Sequence, residues 1–394
     1  MQLPARKSLM VWLYILLLTL ATGAVFFLAT PSPQDDFVHY QKFIETLAGL
    51  RLDLSIPGFH GSDIFGFIVY VFTRSPIAEI YGLIIAALFL PLLGFLAGRS
   101  LFRNTWHGIA LATIVTMMPF VSFVCLRGWT GPGYWFWMLL TIFLAAERSK
   151  WTGIPWALAI LTKPFAIIFL PLIYVIYQPP SRNSKPATRN FWWVLLTAAA
   201  MIILYMIIQY TQAGRIIVGA HSDVTAGGIL QSPKRIIMNL AHSLQMLFSV
   251  HNYYFPNPAL TGPGNLMHTS PVLIFLGLFG LLAPKNYWPN LRLPLALLGG
   301  AALGIAMNAL LDHMDHFYME ASILLLIIAA LPVLKKHPLW IPIALATLHF
   351  QWLYFYLQFR TGFGLGYWFF LIPLVVDICV SVWFLLKSRR ILEY

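Results

Sequence analysis

The chain has 394 residues, 59% of them apolar and only 10% charged, with a mean hydropathy of +0.77 and a formal net charge of +12. That balance excludes a soluble domain of this length. The basic residues lie in short clusters between apolar runs, not on one folded face, which excludes a nucleic-acid partner and fits the positive-inside bias of a polytopic membrane protein. With only two cysteines, Cys125 and Cys379, a disulfide framework is not indicated.

The first apolar run, Leu9 to Ala29, follows Arg6 and Lys7 and ends near the small residues Ala21, Gly23 and Ala24, as a signal peptide does. It is long enough to cross a bilayer, against roughly 7–15 residues for a signal-peptide core, and reads as an uncleaved first span. Directly after it comes Pro33-Gln34-Asp35-Asp36-Phe37-Val38-His39-Tyr40-Gln41-Lys42-Phe43, which puts two adjacent carboxylates and a histidine beside the membrane. Such a pair can take a proton from a nucleophile, hold a divalent cation, or sit solvated. The same outer loop, 30–76, continues through Ile56-Pro57-Gly58-Phe59-His60-Gly61-Ser62-Asp63 into an apolar-aromatic run suited to an interfacial helix.

Further spans are expected near 77–98, 107–126, 133–147, 191–211, 271–284, 293–311, 318–334, 338–357 and 366–386. Between 152 and 177 lies one more apolar stretch, interrupted at Lys163-Pro164. If it crosses once, the cations Arg182, Lys185 and Arg189 fall outside and every later loop inverts. If it enters and returns as two short helices, 16 of the 25 cations lie inside, with Glu147 and Glu393 as the only inner acids. The positive-inside rule selects the second topology. The expected fold is therefore an all-α polytopic membrane protein forming a single domain over 1–394, with about 12 transmembrane or half-membrane helices and both termini cytoplasmic. Two long outer loops, 30–76 and 212–270, carry short interfacial helices. Ten of the 13 acids then gather on or near the outer face, which is where the chemistry belongs.

Lys163 is the most informative cation, because an ionised lysine near hydrocarbon pairs with an anion, lines a cavity or snorkels. At the apex of two short helices it is a candidate for binding a phosphate. Arg360, in a later outer turn, is a second phosphate candidate. The cluster Asp312-His313-Met314-Asp315-His316-Phe317-Tyr318 offers Asp312, Asp315 and His316 for acceptor or metal contacts, and Asp377 lies deep in the last span. No nucleotide-binding signature occurs, and an external site has no access to cytoplasmic nucleotide sugars. A group transferred there arrives on something in the membrane.

Asp36-Phe37-Val38-His39-Tyr40-Gln41-Lys42-Phe43 is similar to the Asp-Glu-Val-His-Phe-x-Lys-Phe stretch of protein O-mannosyltransferases. Ala159-Ile160-Leu161-Thr162-Lys163-Pro164, with Pro171 beyond it, resembles the Leu-Thr-Lys-Pro/Gly element of these enzymes and of the lipid A aminoarabinose transferases. The chain thus resembles the GT-C type of integral-membrane glycosyltransferase. Its second acid is Phe37 here, which moves that role to Asp35 or removes it, and a His-Pro-Pro-x-Gly element is not visible around 56–66.

The resemblance implies a polyprenyl-phosphate sugar as donor, with its phosphate held by Lys163 and Arg360. Asp36 is the expected general base, with Asp35 in support. His39, Tyr40, Asp312, Asp315 and His316 are the expected substrate or acceptor contacts. Asp35 and Asp36 are also the candidate ligands for a divalent cation, Mg or Mn. The acceptor is a glycan, lipid or protein, and the expected location is the bacterial inner membrane with the site on the periplasmic face. A lipid flippase or transporter and an O-antigen-ligase-like oligosaccharide transferase are the rival readings.

Overall fold

The computed structural model describes residues 5–33, 37–56, 58, 60–178, 188–216, 233–247, 270–288, 290–310, 319–359, 364 and 366–392. Every α- or 3-10 element among them is helical, and no strand occurs among them. Five helices are long and apolar enough to cross a membrane: α1 (Ala5–Leu28), α4 (Ala78–Phe102), α10 (Thr188–Ala213), α13 (Arg292–Ala309) and α16 (Trp368–Leu392). An all-helical membrane protein is thus confirmed, although by this measure the count of about twelve is not. The shorter segments are α2 (Phe37–Ala48), α3 (Ile64–Thr73), α5 (Thr105–Met117), α6 (Pro119–Leu126), α7 (Gly131–Ala146), α8 (Gly153–Thr162), α9 (Leu170–Tyr177), α11 (Pro233–Met246), α12 (Pro271–Leu282), α14 (Glu320–Lys336) and α15 (Trp340–Phe359).

Proline placement accounts for two of the breaks. The apolar run 107–126, expected as one span, is two helices, because Pro119 has no N–H to give and holds Met118 in an extended conformation (φ −74°, ψ 108°). Pro164 does the same at the end of α8, where Lys163 is extended (φ −148°, ψ 120°), and the chain then makes a 3-10 segment over Pro164–Phe169 before α9. The break expected at Lys163-Pro164 is therefore present.

Polar contacts sort to two ends of the bundle. At one end Arg103 Nη1 lies 3.2 Å from Glu147 Oε1, Arg148 Nη2 donates to the carbonyl of Gln178, Asn190 donates to the carbonyl of Arg148, and the Tyr287 hydroxyl meets His337. At the other end the amide of Ser32 donates to Leu126, Gln212 brackets the Leu52–Leu54 stretch, and Lys163 pairs with Glu320. Gln178 thus lies at the end that holds Arg148, and Lys163 at the opposite one, as an enter-and-return path over 152–177 requires. Between the ends α14 is buried along nearly its whole length, packed by α12, α13 and α5.

Candidate active site

The site is built at the Lys163 end. Two of its contributors come from the loop after α1. Helix α2 turns Phe37, Tyr40, Gln41, Phe43 and Ile44 inward and leaves Val38 and Lys42 outside, so its spacing of three and four makes one apolar face. Gln41 staples that face to the next corner. Its Nε2 donates to Glu45 Oε1 (2.9 Å) and the Ser75 carbonyl (3.2 Å), while its Oε1 accepts from the Glu79 amide (3.2 Å).

The stretch His60–Asp63 docks on α7 and α8. The Gly61 amide donates to the Leu161 carbonyl (3.0 Å), and Trp137 Nε1 donates to the Gly61 carbonyl (3.0 Å). A Cβ at Gly61 would fall 2.3 Å from the Leu158 carbonyl oxygen, so only glycine lets this loop approach so closely. His60 stacks on Phe43 with ring centroids 3.8 Å apart and takes the Tyr40 ring edge-on at 6.2 Å. Its Nε2 donates to the Ile56 carbonyl (3.1 Å), and its Nδ1 lies 2.7 Å from Asp63 Oδ2. Because the carbonyl requires a proton on Nε2, a further proton must lie between Nδ1 and Asp63. Complete burial pushes the Asp63 carboxyl up from its ordinary range, and His60 opposes that shift. The Glu79 side chain is buried against Gly66 of α3 and makes no hydrogen bond among the described residues.

The turn between α6 and α7 supplies a buried cation. Arg127 is 1% exposed, with its guanidinium carbon 4.6 Å from the Phe123 ring centre and 4.8 Å from that of Trp129. Gly128 follows in the left-handed region (φ +76°), and a Cβ there would sit 2.4 Å from the Phe37 ring. Ser32 and Phe37, the described residues nearest Asp35-Asp36 that touch this turn, meet it at Leu126 and Gly128 respectively.

Lys163 lies 8% exposed, and its Nζ is 2.5 Å from Glu320 Oε1. The other carboxylate oxygen accepts from Trp135 Nε1 (2.8 Å), and the Tyr134 ring centre is 5.2 Å from the ammonium. Glu320 opens α14, where the helix dipole favours a carboxylate. The neutral pair satisfies a lysine that the break at Pro164 holds inside the protein.

Of the residues singled out from sequence, Tyr40 and Lys163 are part of this constellation, and His39 lies half-buried on α2. Asp35, Asp36, Asp312, Asp315, His316 and Arg360 lie outside the described residues. Asp377 accepts from the Ser381 hydroxyl one turn on (3.3 Å). Sequence reading names Arg127 only as one of several outer cations and does not show its burial, the partnership of Glu320 with Lys163, or the His60–Asp63 pair. Glu320 carried a usable signal as an acid on the first turn of an apolar span. Among the described residues no group of three or more His, Cys, Asp or Glu is placed to hold a metal. A shallow indentation lies between α1, α5, α15 and α16, with Thr22, Met117, Trp352 and Pro373 in its wall.

The described residues form an all-helical fold. Two solved structures of the oligosaccharyltransferase of the archaeon Archaeoglobus fulgidus are similar to this chain to different degrees. The chain is 13% identical to AglB in complex with an inhibitory peptide and a dolichol-phosphate, with a TM-score of 0.50 over 94% of this chain and 56% of that one. It is also 13% identical to the form tethered to an acceptor peptide containing the NVT sequon, with a TM-score of 0.47 over 94% of this chain and 55% of that one. The chain thus spans about half the length of these proteins. No family model and no curated protein matches the sequence.

Proposed function

We propose that the chain is a membrane glycosyltransferase that moves a sugar from a polyprenyl-phosphate donor to an acceptor hydroxyl on the outer face of the membrane. The observation that carries this reading is the convergence, at one end of the bundle, of the chain on both sides of Asp35-Asp36 with the buried cations Arg127 and Lys163. A carboxylate base and a cation for a leaving phosphate are the two groups that a single displacement needs. The archaeal protein of this fold, AglB, is described with a dolichol-phosphate, which supports a lipid-phosphate donor here.

In this mechanism Asp36 takes the proton of the acceptor hydroxyl as its oxygen attacks the anomeric carbon. The bond from that carbon to the phosphate oxygen breaks, and its electron pair leaves on the phosphate. The product sugar has inverted configuration, and the lipid leaves as polyprenyl phosphate. Lys163 and Arg360 hold the phosphate, Asp35 supports the base, and His39, Tyr40, Asp312, Asp315 and His316 meet the substrates. Asp35 and Asp36 offer the hard oxygen donors that Mg or Mn prefers, and a bound cation would supply further charge for the departing phosphate. The acceptor is a glycan, lipid or protein, and the membrane is the bacterial inner membrane with the site on its periplasmic face.

The test is release of polyprenyl phosphate from a panel of polyprenyl-phosphate sugars in proteoliposomes with cell-envelope acceptors, comparing the native chain with Asp36→Asn. We expect turnover with one donor, reduced in the variant by roughly two to four orders of magnitude, the scale of a lost general base. Full activity in Asp36→Asn moves the base to Asp35. Folded protein that turns over no monophosphate donor, but does accept diphosphate-linked oligosaccharides or move lipid between leaflets, replaces this reading with the ligase or the flippase.

A further inference from the structure

We propose that Glu320 releases the lipid phosphate product, by competing with it for Lys163; this role rests on the transferase reading above. The ammonium of Lys163 and the carboxylate of Glu320 form a buried pair at 2.5 Å, with the lysine backbone fixed by the break at Pro164. A ligand phosphate that takes Lys163 takes it from Glu320. The carboxylate does not have to move far when this happens, because its other oxygen is anchored on Trp135 at 2.8 Å and its charge sits at the amino end of α14. It stays beside the occupied site as a fixed negative charge.

The chemistry of the two lipids gives that charge a purpose. The donor is a phosphodiester with one negative charge. The product is a phosphomonoester, whose charge near neutral pH is about −1.5 to −2. Attraction to an uncompensated lysine scales with ligand charge, so a lone Lys163 would hold product more tightly than donor and slow every turnover. Repulsion from Glu320 scales in the same way and falls hardest on the product. When the product leaves, the ion pair closes again, so the buried ammonium is not left without a counter-charge. Lys163 alone would bind phosphate, whereas Lys163 with Glu320 exchanges it.

The test uses the purified full chain in nanodiscs with two probes, dodecyl phosphate as the monoester and dodecyl methyl phosphate as the diester. At pH 7.5 Glu320→Gln is expected to bind dodecyl phosphate at least about tenfold more tightly than the native chain, with a smaller gain for the diester. Lowering the pH to 5, where the monoester carries one charge, should bring the two probes together in the variant. Adding Lys163→Gln should remove the gain.

With a sugar donor that turns over, Glu320→Gln should lose more in kcat than in kcat/KM and be inhibited by lower concentrations of dodecyl phosphate. If Glu320→Gln does not fold, Glu320→Asp, which keeps the charge but shortens its reach, should show a smaller gain of the same sign. Unchanged or weaker monoester binding in a variant that melts like the native chain overturns the proposal. Absence of sugar transfer by the native chain with every donor instead overturns the transferase reading, and the probe binding reports on Glu320 independently of it.

Discussion

Gly128 ties the acidic segment to the rest of the site by having no side chain. Its φ of +76° costs an L-residue roughly 1–2 kcal/mol, and an added methyl would overlap the Phe37 ring, for a further 1–3 kcal/mol or so. Gly128→Ala should therefore lower stability by roughly 2–5 kcal/mol and reduce transfer, read by thermal unfolding in detergent alongside product release. Measured against Phe37→Ala alone, where the ring is already gone, Gly128→Ala should cost only the backbone part, roughly 1–2 kcal/mol. An equal cost of Gly128→Ala with and without the ring would locate the whole effect in the backbone. The sequence showed neither effect, because a Leu-Arg-Gly-Trp turn does not reveal which distant ring will lie against it.

At the scale of elements, the loop between α2 and α3 is held by a buried proton pair, and this makes its stability depend on pH. Asp63 has a carboxyl pushed up by burial from 3.8, so its charged form is disfavoured in the folded state, and His60 offsets that cost. In His60→Phe, which keeps a ring on Phe43, Asp63 faces burial with only the long Ser62 hydroxyl bond (3.4 Å) left to it. A raised acid pKa contributes stability that is present below about 3.8 and is lost as pH rises through the folded value. The variant should therefore melt close to the native chain at acid pH and fall progressively below it toward pH 8, by about 3–5 kcal/mol at most, the scale of a broken buried pair. A deficit independent of pH would mean that packing, not charge, is what His60 supplies.

The elements themselves were largely legible. Apolar runs bounded by charge located nearly every long helix, and Lys163-Pro164 marked the break between α8 and α9 because a cation and a proline together cannot continue an apolar helix. Pro119, which divides 107–126 in the same way, was passed over because no charge accompanies it. The partners were not legible. The Lys163–Glu320 pair joins residues 157 positions apart, a separation on which hydropathy and local motifs carry no information.

For the molecule as a whole, the two polar ends make a topological prediction. In a background with Cys125→Ser and Cys379→Ser, Lys150→Cys and Gln178→Cys should react with an impermeant maleimide from the same side of sealed vesicles, and Arg51→Cys from the other. Labelling of Gln178→Cys on the side of Arg51→Cys would mean a single crossing over 152–177 and would invert everything after it. Charge counting in the sequence favours the return path, since only that path places most cations on the cytoplasmic side. Contacts of Arg148 with Gln178, and of Lys163 with Glu320, express the same path in space.

The separation of that last pair also sets a clock. At roughly 5–20 residues per second of synthesis, Glu320 leaves the ribosome roughly 8–30 s after Lys163. For that interval the newly made hairpin of α8 and α9 carries an ammonium whose final counter-charge does not yet exist. Seating that ammonium early costs about 2.5–3.5 kcal/mol on insertion scales, so full seating of the hairpin is expected to follow the entry of α14.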